Sequence, residues 1–187
     1  HIIIKKTLNL LVLLLLMASS VTAQRYITKN GYIRFFSSTP VEDIKAHNRQ
    51  VQAALDSESG EVVFKVLMKS FSFKKALMQE HFNEKFVESD KYPNSTLKGK
   101  ITNIDEINFS KDGEYSANVE GKLTIHGVTN DIKEKGTLTV KDDTVHAQAE
   151  FMVTVADYDI KIPSSVRDNI AKEVKVTVDC KLKKFEK

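Results

Sequence analysis

The residues able to do chemistry in this 187-residue chain are few. Beyond the first 23 residues the histidines are His47, His81, His126 and His146, and the single cysteine is Cys180. No histidine belongs to an HExxH pattern. No two stand at a short metal-ligating spacing with a carboxylate on the same face. One cysteine excludes an internal disulfide framework and any multi-cysteine zinc or iron–sulfur site. By alternation Cys180 points inward among valines, where a thiol is unreactive. His146 lies on the polar face of its segment, and His126 ends a segment at His126-Gly127. His81 falls on the apolar face of a helical stretch, the usual place of a core or rim histidine rather than a general base. No GxSxG elbow, glycine-rich phosphate loop or paired catalytic carboxylates are present. The residues therefore predict a protein that is not an enzyme and carries no metal.

The elements that would hold these groups begin after an export signal. Lys5 and Lys6 precede an apolar run from Leu8 to Met17, interrupted only by Asn9. Ala18 to Ala23 is small and weakly polar, with Val21 and Ala23 at the −3 and −1 positions of a cleavage site before Gln24. This is the pattern of a signal peptide over 1–23. The run is too short to span a bilayer, which takes about 20 apolar residues. The expectation is a periplasmic or secreted single domain over 24–187, with no stable membrane span after cleavage.

The formal net charge of the chain is +3, and Lys5 and Lys6 account for two of those charges. A near-neutral remainder has no electrostatic basis for binding nucleic acid. Lys181, Lys183, Lys184 and Lys187 read as solvated, edge-protecting charges. The sequons at Asn94 and Asn108 matter only in a host that glycosylates.

Period-two alternation dominates the rest. Tyr115, Ala117, Val119, Gly121, Leu123 and Ile125 alternate with Ser116, Asn118, Glu120, Lys122 and Thr124. The stretches 132–140, 145–155 and 174–182 behave alike, and further strands are expected at 25–29, 32–37, 50–56, 61–69, 95–103 and 107–110. Asn30-Gly31, Ser57 to Gly60, Lys111 to Gly113 and Asp142-Asp143 read as turns. Thr39-Pro40-Val41-Glu42 has the form of a capping box and predicts a short helix to about Lys45. Helical spacing over 74–87 and 164–172 predicts two more helical insertions. Long sequential strands with one apolar face each predict an all-β fold, an up-and-down antiparallel barrel of about eight strands.

The inner face inferred from this alternation holds Phe64, Val66, Met68, Leu97, Ile101, Val119, Leu123, Leu138, Phe151, Val153 and Val178. Smaller residues intersperse it, at Gly99, Ala117, Gly121, Gly136, Ala147 and Ala149. Small inward residues leave room either for large neighbours or for a ligand, and periodicity does not separate the two.

Three segments carry a family resemblance. The first reads Met-Gln-Glu-His-Phe-Asn over 78–83, with Asp90-Lys91-Tyr92-Pro93 after it. The second reads Gly-Lys-Leu-Thr-Ile-His-Gly-Val-Thr over 121–129. The third runs from Asp157-Tyr158-Asp159-Ile160 through Pro163 to Asn169-Ile170-Ala171 and the last alternating strand. Together they resemble the YceI-like family of secreted polyisoprenoid-binding proteins. The stretch from Tyr32 to Pro40 departs from that family's first hairpin, which marks a divergent branch.

The resemblance implies a lipocalin-like barrel with an apolar tunnel. It implies no catalytic cofactor and a bound isoprenoid, quinone-like or other lipid-like molecule as partner. With the inner-face reading, it places ligand contacts at Phe64, Val66, His81, Phe82, Leu123, Ile125, His126, Phe151, Tyr158 and Val178, with His81, His126 and Tyr158 as rim groups. A homodimer is a further expectation. Two rival readings stand beside the carrier: an enzyme using a rim histidine on an apolar substrate, and a filled barrel serving as a stress or interaction protein.

Overall fold

A computed structural model describes residues 24–186. The expected signal peptide over 1–23 lies outside the described residues. The strands are β1 (Arg25–Ser38), β2 (Asp43–Asp56), β3 (Glu61–Leu67), β4 (Ser72–Phe73), β5 (Asn94–Ile101), β6 (Gly113–Ile125), β7 (Val128–Lys141), β8 (Thr144–Thr154) and β9 (Glu173–Lys184). One short helix, α1 (Ala76–His81), runs into a wider π turn over Phe82–Phe86.

Eight strands close a barrel in the order β1-β9-β8-β7-β6-β5-β3-β2, and β2 returns to β1. Every pairing is antiparallel. The two-residue β4 adds only to β2, at Ala46↔Phe73 and His47↔Ser72. Closure follows from the pattern: strands with one apolar face bury those faces together, and a closed sheet leaves no long edge exposed. Strands of 13–14 residues make the barrel tall, roughly 45 Å along the longest.

Two sequence expectations fail in the first hairpin. Asn30-Gly31 is not a turn, because β1 runs straight through it. The register with β2 slips there instead, between Thr28 and Gly31 and again between Gly31 and Ile33. Gly31 is required by crowding: a Cβ on it would lie 2.6 Å from Cys180 Sγ and 3.1 Å from Val51 O. Asn48 takes up the slip on β2. It is fully buried, donates Nδ2–H to Leu67 O at 3.0 Å and accepts the Gln50 N–H on Oδ1 at 3.0 Å.

The capping box over 39–42 starts no helix. Thr39 Oγ1 accepts the Val41 and Glu42 N–H groups, and Thr39 N–H donates to Glu42 O. The same side-chain chemistry that caps a helix here closes a turn. The chain then enters β2, whose Ile44, Ala46, Val51, Ala53 and Leu55 are buried. Tertiary pairing on both sides overrides the local signal.

The expected strand at 107–110 is irregular chain after a short 3₁₀ turn over Ile104–Glu106. It plugs the lower end of the barrel. Ile107 is buried and Phe109 stacks on Tyr26 at 5.6 Å between ring centroids. Tyr26, Ile101, Val140, Val145 and Leu182 fill this end completely. The expected helix at 164–172 is only a 3₁₀ turn over Ser164–Val166 within the long β8–β9 connection. That connection, α1 with its π turn, and the β6–β7 hairpin all gather at the opposite, upper end.

Candidate functional site: an apolar cavity under a tied rim

Above the plug the barrel is hollow. The cavity measures about 270 Å³, near the lower end of the ~300–1,000 Å³ range usual for ligand pockets. Its wall is almost entirely carbon. β3 contributes Phe64 and Val66, β5 Leu97, β6 Val119, Leu123 and Ile125, and β9 Val174, Val176 and Val178. From β8 come Ala147, Ala149, Phe151 and Val153. All eleven large residues of the inferred inner face line it.

Of the ten ligand-contact residues expected from sequence, seven stand in this wall: Phe64, Val66, Phe82, Leu123, Ile125, Phe151 and Val178. His81, His126 and Tyr158 stand behind it rather than in it. His81 ends α1, half-buried. Tyr158 is buried against Leu123 and Val153, and burial pushes its hydroxyl pKa up.

The sequence reading missed an aromatic cluster at the top. Phe35, Phe71, Phe73 and Phe82 pack with centroids 5.0–5.7 Å apart. All four line the cavity, with Met78 and Phe86 beside them. Phe35 was readable, because it continues the inward phase of Ile33. Phe71 and Phe73 alternate with Ser70 and Ser72, but a 3₁₀ turn over Met68–Ser70 breaks the phase of β3 before them. Glu134 was missed too, although it falls on the inward phase of β7 between Ile132 and Gly136.

The small inward residues divide into two kinds. Gly99 and Gly121 face one another across β5–β6. A Cβ on Gly121 would stand 2.5 Å from Gly99 Cα, so this pair serves a close approach of two backbones. Gly136, Ala117, Ala147 and Ala149 line the cavity and leave room in it.

The rim is tied by polar groups, all but Ser37 outside the cavity lining. His126 has φ 53°, at the tip of the β6–β7 hairpin. Its Nε2 meets Glu88 Oε2 at 2.5 Å and its Nδ1 meets Tyr158 O at 3.0 Å. Tyr92 packs edge-on against the ring at 4.9 Å. Gly127, at φ 73°, keeps clear of Tyr92, which a Cβ would approach to 2.5 Å. Hydrogen bonding from His126 holds the Glu88 carboxyl below its ordinary range. On the far side Glu42 binds Lys75 at 2.7 Å and Asn169 at 3.2 Å, and Ser37 Oγ accepts the Ala171 N–H. The β8–β9 connection is thus fastened at both ends, and its Ile160, Ile162 and Ile170 face the cavity.

β7 and β8 part at this level. Their ladder runs from Lys141↔Thr144 to Gly136↔Ala149 and stops. Beyond it β7 stays paired with β6, and β8 stays paired with β9 to Thr154↔Glu173.

Such a site can enclose an apolar chain. Among the described residues no histidine or cysteine lines the cavity. Cys180 is fully buried, and desolvation pushes its thiol up to about 11. His146 pairs with Asp179 at 2.5 Å and His47 with the Tyr32 hydroxyl at 2.7 Å. Among the described residues no group of three His, Cys, Asp or Glu side chains is placed to hold a metal ion.

Comparison with known proteins agrees with this architecture. The fold matches a polyisoprenoid-binding domain from Saccharophagus degradans implicated in plant cell wall breakdown, with TM-score 0.76 and 13% identity over 88% of this chain and 100% of that one. It matches BcnA of Burkholderia cenocepacia with TM-score 0.67 and 15% identity, over 81% and 95% of the two chains. It matches the Campylobacter jejuni YceI protein with TM-score 0.56 and 14% identity, over 76% and 85%. A search of curated proteins finds no match. The model of the YceI-like domain matches residues 22–182. With the barrel, its order of strands and that match in hand, the chain belongs to the YceI-like family.

Proposed function

We propose that this protein binds one apolar chain, an isoprenoid or similar lipid-like molecule, inside the barrel and carries it without chemical change. The observation that supports this reading is the hollow, carbon-lined cavity above a solid plug. Burial of a chain there is favourable by about 0.8 kcal/mol for each methylene removed from water. The polyisoprenoid-binding Saccharophagus domain of like fold points the same way. The setting we propose is periplasmic or secreted, with residues 1–23 as the export signal.

The rival enzyme reading needs a rim histidine turned toward the cavity. His126 instead has both ring nitrogens engaged and a side chain only 9% exposed. The filled-barrel reading needs a solid interior, and the upper half is hollow.

The test is mass spectrometry of the purified protein, first native and then after organic extraction. The carrier reading expects a co-purifying chain at close to one per protein, or uptake of one from a mixture of quinones and polyprenols. A protein of bare mass that takes up nothing overturns it.

A further inference from the structure

One charged side chain breaks the apolar wall from within. On β7 the inward positions are Ile132, Glu134, Gly136, Leu138 and Val140, and Glu134 is the sole acidic residue lining the cavity among the described residues. Its ladder partner on β6 is Val119, also in the wall. The half-buried Glu134 carboxylate makes no hydrogen bond or ion pair with any described residue. Its neighbours Lys133 and Lys135 are exposed on the alternate phase; Lys133 pairs with Glu120 at 3.2 Å, and Lys135 borders both the cavity and the outer groove.

The position of Glu134 is as telling as its charge. It lies two residues beyond Gly136↔Ala149, the last pair of the β7–β8 ladder, where the two strands separate. A polar groove on the outer surface, with Ser116, Gln148, Glu150 and Asp179, meets the cavity there. The two hollows share Lys135, Gly136, Thr137, Gln148, Ala149 and Val178, so the wall between them is one sheet thick. An acceptor with no partner thus sits where the apolar chamber comes nearest to polar surface. A half-buried carboxylate in such a place gains from any donor that reaches it.

We infer that Glu134 receives the polar end of the bound chain, and that the ligand carries a hydrogen-bond donor there, a hydroxyl or an ammonium group, rather than a phosphate or carboxylate. The tail fills the chamber and the head lies at the β7–β8 split. An anionic head at the same place would oppose a like charge in a half-buried site. Burial already raises the Glu134 pKa, the response of a carboxylate without a donor. The inference rests on the chain-binding reading above.

The experiment compares three probes with one tail: geranylgeraniol, geranylgeranylamine and geranylgeranyl phosphate. Each displaces N-phenyl-1-naphthylamine from the delipidated wild-type protein, from Glu134→Gln and from Glu134→Leu. The wild type should bind the alcohol and the amine at least about tenfold more tightly than the phosphate. Glu134→Gln should lose the preference for the amine and keep that for the alcohol. Glu134→Leu should keep affinity for the tail and lose the ranking of heads. Equal binding of all three heads by the wild type, or an unchanged ranking in Glu134→Leu, overturns the assignment while leaving chain binding intact. Failure of every probe to bind overturns both.

Discussion

His126 joins Glu88 through Nε2 and the main chain of Tyr158 through Nδ1, and so fastens three separate segments at the top of the barrel. The Glu88 carboxyl is held below its ordinary value, chiefly by its hydrogen bond with His126. A lowered carboxyl pKa adds stability that is present above the unfolded-state value and lost as pH falls through the folded one. The melting temperature of Glu88→Gln should therefore lie below that of the wild type at pH 5–6. The gap should close as pH drops below about 4. A gap that persists unchanged at pH 3 contradicts this role.

Removal of the ring should act on the connection more than on the barrel. In His126→Ala the amides of 156–160 should exchange with solvent faster, while those of β6 and β9 stay protected. Hydrogen exchange read by mass spectrometry separates the two. Uniform loss of protection would show that His126 supports the whole fold rather than the rim.

Gly31 and Cys180 form a tight pair across β1 and β9. Gly31→Ala would press a methyl group against Cys180 Sγ, at a cost of about 1–3 kcal/mol. Cys180→Ala removes the obstructing sulfur, so the double variant should recover part of that loss. Chemical denaturation of the four proteins completes the cycle. Strict additivity would mean that the contact with Val51 O dominates instead.

The Cys180 thiol should be silent in the native protein. It is fully buried and its pKa is pushed up to about 11, so thiolate is scarce near neutral pH. A disulfide reagent at pH 8 should label it only after denaturant is added. Rapid labelling of the folded protein contradicts the burial described for β9.

Much of the fold was legible because each strand has one apolar face. The alternation of Val174, Val176, Val178 and Cys180, or of Phe151 and Val153, carried the barrel and most of the cavity wall. The errors fall where a local signal met a stronger tertiary demand. Asn30-Gly31 has turn chemistry, yet the glycine serves the contact with Cys180. Thr39 to Glu42 has capping chemistry, and Thr39 uses it to close a turn between two paired strands. The rim was legible only in part. The motif around His126 marked the right region, but no period in sequence tells whether a histidine at a hairpin tip faces the chamber or, as here, Glu88 and Tyr158. Phe71 and Phe73 join the wall after a 3₁₀ turn over Met68–Ser70 shifts the phase of β3, a shift that no local signal announces. Glu134 could have been found by extending the β7 phase through one charged residue.

The central claim is that the chain lies inside the cavity. The most direct test is equilibrium uptake of one polyprenol by the delipidated protein, compared with Val178→Phe, which adds a ring to the wall at mid-height. The account predicts saturable binding of one chain by the wild type and a loss of about tenfold or more in the variant, with its melting temperature little changed. Equal uptake by both proteins, with Val178→Phe folded, would contradict it.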